Sequence, residues 1–205
     1  MRSASRTSTA AAASSAKRNS RSDTRVRENL GVASLTVPVG PEDHVLGLAD
    51  APLVLVMYGD FECPYCAAAQ GVVRRVRGRL EGRLAFVFRH LPIAARHPHA
   101  ELAAQASEAA AAQGEFWAYH DALYAARGRL GLEDLVAHAE RLGLDSHRLH
   151  TEVESSVHLP RIWRDTESAV ASGATGTPAF FANGTLVEGA FDAGSLVEAL
   201  EAWEV

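Results

Sequence analysis

The sequence predicts an α/β domain in which a central mixed sheet is flanked by helices and interrupted by an all-helical insertion. Three observations carry this. The continuous apolar run Pro52–Tyr58 is followed by an amphipathic helical stretch and then by a second apolar run, Arg83–Phe88. A strand, a helix and a strand in close succession make a parallel pair with a right-handed crossover. From Pro98 the pattern stays helical for about sixty residues, and further on Asn183-Gly184 stands between two apolar runs. Asn-Gly in that setting is the strongest short hairpin signal, so antiparallel strands join the parallel pair.

The chain has 205 residues, which suits one domain carrying an insertion. The sheet-bearing core is expected over residues 35–95 and 160–205, with the helical insertion over 97–158, all within a domain spanning 31–205. Residues 1–30 hold seven of the 20 basic side chains and two of the 25 acids, which leaves 13 basic and 23 acidic residues in the remainder. This acidic body is a poor nucleic-acid binder. The Ser-, Ala- and Arg-rich start cannot bury enough apolar surface to offset its ordering entropy and reads as a disordered, solvated tail. Its acid-poor, Arg-rich composition also resembles an organellar transit peptide. A secretory signal needs an apolar core of ~7–15 residues, and the best run, Ala10–Ala13, is broken by Ser14 and Ser15. No run approaches the ~18–20 apolar residues that span a bilayer. No membrane partner is therefore expected, and the expected location is the cytoplasm, with an exported location as the alternative.

Along the folded part, Leu35–Val39 reads as a short strand, with Pro38 placing it at an edge or bulge. Pro52–Tyr58 lacks alternation, as a central strand covered on both faces should. Next, Cys66, Ala69, Val72, Val73, Val76 and Leu80 fall on one helix face, with Gln70, Arg74 and Arg77 turned away. Helices are expected over Ala100–Gln113, Glu115–Arg127 and Leu132–Leu142, stopped in part by Gly114 and Gly143, and a further one over Pro160–Ser172. Strands Thr177–Phe181 and Leu186–Val187 flank the Asn-Gly turn. Ser195-Leu-Val-Glu198 reads as a capping box that starts a last helix ending near Trp203.

The chemistry centres on Cys63-Pro64-Tyr65-Cys66, which hold the chain's two cysteines. A C-x-x-C pair is either a redox centre or half of a metal site. Zinc needs four ligands, or three and a water; no second C-x-x-C exists, and His97-Pro98-His99 fall at a helix start, where His97 suits a cap. No metal is assigned. Cys63 lies where a buried strand gives way to a helix, near free N–H groups and the positive end of the macrodipole. Thiols so placed have pKa values lowered from ~8.5 to roughly 3.5–7.5. Cys66, one turn on, faces the apolar side. Cys63 should be exposed and Cys66 shielded.

With these residues in hand the chain resembles the thioredoxin superfamily, and within it the DsbA-like branch, which inserts helices into the thioredoxin fold. The segments that carry the resemblance are Gly59-Asp-Phe-Glu-Cys-Pro-Tyr-Cys66, Phe88-Arg-His-Leu-Pro92, His97-Pro-His-Ala100 and Gly176-Thr-Pro-Ala-Phe-Phe181. The resemblance implies a thiol–disulfide oxidoreductase acting as oxidase, reductase or isomerase on protein thiols and disulfides. Cys63 and Cys66 would be its catalytic, redox-active disulfide pair, and Pro64, Tyr65, Thr177 and Pro178 would contact substrate. The proline matching Pro178 is cis in this family and faces the cysteines, leaving the backbone of Thr177 free for an extended substrate. No cofactor beyond the cysteine pair is implied. C-P-Y-C also occurs in glutaredoxins, which raises glutathione, or a thioredoxin-type reductant, as a partner. Glutathione-linked transferases or isomerases of the superfamily, and a non-enzymatic peptide-binding or redox-sensing module, are the alternative readings. One departure is Met57, which stands where family members often carry a buried acid. Of the aromatics that could line a substrate groove (Phe61, Tyr65, Phe116, Trp117, Tyr119, Phe180), only Tyr65 is expected to be exposed at the site. The sequence does not specify the oligomeric state.

Overall fold

The structure, a computed structural model, describes residues 33–202 apart from 49, 127 and 190. The expected tail over 1–30 and the helix end near Trp203 lie outside the described residues. The elements run β1 (His44–Leu46), β2 (Leu53–Gly59), α1 (Pro64–Arg79), β3 (Leu84–His90), α2 (Ala100–Ala111), α3 (Phe116–Ala125), α4 (Leu132–Arg141), α5 (Ser146–Glu154), α6 (Leu159–Ala171), β4 (Ala179–Ala182), β5 (Thr185–Leu186) and α7 (Ala193–Glu201). The five-stranded sheet has the order β1-β3-β2-β4-β5. β2 and β3 are parallel, in register from Leu53–Leu84 to Gly59–His90. The other pairings are antiparallel. The sheet is therefore mixed, as expected.

The unbroken apolar run of β2 has its reason in this arrangement. Leu55 and Met57 pack in one core cluster with Val73 and Val76 of α1 and Leu196 and Leu200 of α7. Val56 and Tyr58 face the other way, into a second cluster with Ala169 of α6 and Phe181 of β4. The inserted helices share the first cluster through Tyr119, Leu123, Leu135 and Leu149. Asn183 and Gly184 turn the β4–β5 hairpin with φ of 46° and 83°, the left-handed pair that a tight hairpin turn demands.

Four expectations need correction. Leu35–Val39 is not a strand; the first strand is His44–Leu46. Leu35 N–H donates to the Gly184 carbonyl (2.8 Å) and Thr36 N–H to Ser172 Oγ (2.9 Å). The Val37 and Pro38 carbonyls accept from Arg89. The segment's polar groups are thus satisfied by a hairpin turn, a helix end and a buried cation rather than by a ladder. The last helix is capped by Asp192, not Ser195, because Asp192 Oδ1 accepts from the N–H groups of Gly194 (2.7 Å) and Ser195 (3.1 Å). Gln70 is buried rather than turned away, its amide donating to the Cys66 carbonyl at 3.2 Å. β4 and β5 begin at Ala179 and Thr185 rather than at Thr177 and Leu186. The sequence reading also left α5 unseparated; Asp145 caps it by accepting from Arg148 N–H at 2.9 Å.

Candidate active site

Cys63 is the residue on which β2's loop turns into α1. Its backbone is extended (φ −72°, ψ 120°) at the N-cap position, and Pro64 opens the helix, where its missing N–H leaves no donor unpaired. Cys63 N–H donates to the Asp60 carbonyl at 3.2 Å, and Ala67 N–H donates to the Cys63 carbonyl at 3.1 Å. The loop is therefore locked from both sides of the sulfur. Both cysteines are free thiols.

The two sulfurs have opposite tendencies. The Cys63 pKa is lowered to about 5, first by a hydrogen bond from the Cys66 thiol; burial opposes this, and Thr177 and the Cys66 and Tyr65 N–H groups add to it. Those two N–H groups belong to the first turn of α1, where backbone donors lack intrahelical partners. Cys66, fully buried, is pushed strongly upward, by burial first and then by Cys63 beside it. At neutral pH one thiolate is held next to one thiol.

The structure brings the expected site residues together at one end of the sheet. The Cys63 thiol lies 3.5 Å from the Thr177 carbonyl, and the Thr177–Pro178 peptide bond is cis. A groove of about 480 Å³ runs from Tyr65 along Thr175–Ala179 to Phe191. Tyr65 is 70% exposed at its mouth. Phe61, Phe116, Tyr119 and Phe180 are core residues, while Trp117 packs against the core and donates to the Val45 carbonyl. The expectation that Cys63 is exposed is corrected: the residue is only 3% exposed, because Thr177 lies across its sulfur.

The loop before the cysteines is anchored by its own two acids, Asp60 and Glu62. Asp60 is buried, its carboxylate accepting from the Glu62 N–H (2.8 Å), the Ile93 N–H (2.8 Å) and His97 Nδ1 (2.8 Å). Glu62 accepts from the His99 N–H at 2.6 Å and pairs with His99 Nδ1 at 3.0 Å. His97 is thus a partner of Asp60, and the residue at the N-cap of α2 is His99. The acid-at-the-turn, His-Pro-His spacing was the available signal, but only the fold shows which acid meets which imidazole. Met57 is fully buried beneath this loop, with the Gln70 amide 3.9 Å from its sulfur. Among the described residues the cysteines join no cluster of three metal-binding groups.

This mixed sheet, with a C-x-x-C at a helix start and helices inserted after β3, defines the thioredoxin class with DsbA-like architecture. A family model described as Thioredoxin matches residues 40–202, and the chain belongs to that family. Among solved structures, it is similar to a thioredoxin-like oxidoreductase from Silicibacter pomeroyi (28% identity, TM-score 0.72), covering 80% of this chain and 92% of that one. It is also similar to DsbA2 of Pseudomonas aeruginosa (25% identity, TM-score 0.65), covering 80% of this chain and 96% of that one. A curated relative from Herminiimonas arsenicoxydans, named Na(+)/H(+) antiporter NhaA, is 46% identical over 169 residues, covering 82% of this chain and 27% of the relative. The chain spans about a quarter of the length of the curated relatives it matches.

Proposed function

We propose that the protein exchanges disulfides with protein thiols through a Cys63–Cys66 dithiol/disulfide couple. The observation that carries this is the pairing of an acidified Cys63 with a shielded, strongly raised Cys66. In the reducing direction the Cys63 thiolate attacks one sulfur of a substrate disulfide. The Cys63–substrate bond forms, the substrate S–S bond breaks, and the departing substrate sulfur takes a proton from solvent. Cys66 then gives up its proton and attacks Cys63 Sγ; the Cys63–Cys66 bond forms and the second substrate thiolate leaves. The oxidising direction is the reverse. Tyr65, Thr177 and Pro178 line the groove in which the substrate chain would lie, with Pro64 next in sequence to Tyr65 and the Thr177 backbone as the pairing partner.

The match to antiporter-named relatives covers about a quarter of their length. Within the described residues no helix is long and apolar enough to cross a membrane. Disulfide exchange, rather than ion transport, is the activity this portion supports. The test is the reduction potential, measured by equilibrating the protein with glutathione buffers and trapping free thiols by alkylation. A reversible two-electron transition is expected. A value near about −120 mV would make the protein an oxidant suited to an oxidising compartment, and one near about −270 mV a reductant suited to the cytoplasm. A pair with no reversible transition would overturn the proposal.

A further inference from the structure

A second cluster of reactive groups lies where the sheet meets the inserted helices. His44 of β1 pairs with Phe88 of β3, so His44 and His90 are diagonal neighbours on one sheet face. Glu108 of α2 descends onto them. Its Oε1 is 2.7 Å from His44 Nε2 and 2.7 Å from His90 Nε2. The three ligand atoms lie within 4.8 Å of one another. The His90 side chain is 1% exposed and closes the back, whereas His44 (14%) and Glu108 (9%) leave a path from solvent. Phe116 stacks flat on the His44 ring at 3.4 Å between centroids and fixes its plane.

We infer that His44, His90 and Glu108 form a binding site for one divalent ion of the zinc type. Two imidazole nitrogens and one carboxylate oxygen are a donor set that suits zinc and leaves a fourth position for water. Bonds of ~2.0–2.2 Å to such ligands place the donor atoms about 3.3 Å apart, so each nitrogen recedes from the oxygen by about 0.6 Å on loading. The ion takes the place of the two Nε2 protons that now bridge to Glu108. Each imidazole then carries its proton on Nδ1, and that of His90 has no protein partner to fix the present tautomer. The nearest cation, Arg161 (3.8 Å from Glu108 Oε1), is compensated by Asp165 at 2.7 Å. A bound ion ties β1, β3 and α2 together, so it stabilises the folded chain.

The test uses the full chain carrying Cys63→Ser and Cys66→Ser, which removes the thiols as competing zinc ligands and makes the result independent of the redox reading. Zinc is titrated calorimetrically and the melting temperature followed with and without it. One equivalent should bind saturably and raise the melting temperature, with no comparable effect from magnesium, which prefers all-oxygen sites. Glu108→Gln and His44→Gln should each weaken zinc binding at least tenfold. The metal-free melting curves show which variants fold, and either folded variant suffices. Absence of saturable binding, or affinity unchanged in a folded variant, would overturn the inference.

Discussion

At Cys63 the dominant acidifying contact is the Cys66 thiol, ahead of the helix N-terminus. Cys66→Ala removes that donor while leaving the α1 backbone in place. A charge-assisted hydrogen bond of this kind is worth about 1.5–3 kcal/mol, or about 1–2 pKa units. The Cys63 titration, followed by the ultraviolet absorbance of the thiolate, should therefore move upward by that amount from about 5. An unmoved midpoint would transfer the whole effect to Thr177 and the backbone donors. The position of Cys63 at a strand-to-helix junction was legible in the sequence, because it follows from local periodicity and Pro64. Its burial was not. The cover comes from Thr177, 114 residues away, and no local pattern reports such a contact.

Among the elements, β2 and the loop that follows it show the same division. The parallel β2–β3 pair and the amphipathic α1 were readable from apolar runs and a 3.6-residue period. What failed was the reading of polar groups: Gln70 and Asp192 bond within four residues of themselves, whereas Leu35–Val39 finds its partners far along the chain at Arg89, Ser172 and Gly184. Gly59, the last residue of β2, has a role of this remote kind. A Cβ placed there would lie 2.5 Å from Phe88 Cε2 and 3.0 Å from Tyr124 Oη. Gly59→Ala should destabilise the protein by about 1–3 kcal/mol, the usual penalty of overpacking a core, as measured by urea unfolding. Since the loop carrying the cysteines begins here, the same variant should slow disulfide exchange. A fully stable variant would show that Phe88 and Tyr124 yield easily.

For the whole molecule, one buried network joins segments far apart in sequence. Arg89 on β3 forms a bidentate pair with Asp43 (2.7 and 2.9 Å) and also donates to Tyr58 Oη (3.0 Å) and to the Val37 (2.8 Å) and Pro38 (3.0 Å) carbonyls. The Arg89 and Asp43 side chains are 2% and 6% exposed. Asp43→Ala leaves a buried, unpaired guanidinium and should cost about 3–5 kcal/mol, read as a lowered unfolding midpoint. Burial raises the Asp43 pKa, but the hydrogen bonds from Arg89 and the Gly40 N–H and the charges of Arg89 and Arg161 together outweigh it, and the net shift is downward from 3.8. Its folded value therefore lies below its unfolded one. The contribution of Asp43 is full above about pH 4 and is lost as the pH falls through the folded value. The variant and the parent should converge in stability under strong acid; a gap that persists there would assign the loss to packing. The overall architecture was legible because alternating strands and helices constrain topology so tightly. This network was not, since an Arg within an apolar strand names no partner.

The two outer strands of the sheet carry one more consequence. β1 has three residues, and its Val45 carbonyl already accepts from Trp117 Nε1 at 3.2 Å. β5 has two, and its Leu186 N–H is engaged by the Ala33 carbonyl at 3.0 Å. Among the described residues neither flank offers a long row of free backbone donors and acceptors, the template on which foreign strands zip up. If the proposed exchange holds, an extended client would be turned away from the sides of the sheet and left with the groove lined by Thr177, whose carbonyl lies 3.5 Å from the Cys63 sulfur. Resistance to sticking and selectivity of docking would then have a single origin in how the sheet is hemmed.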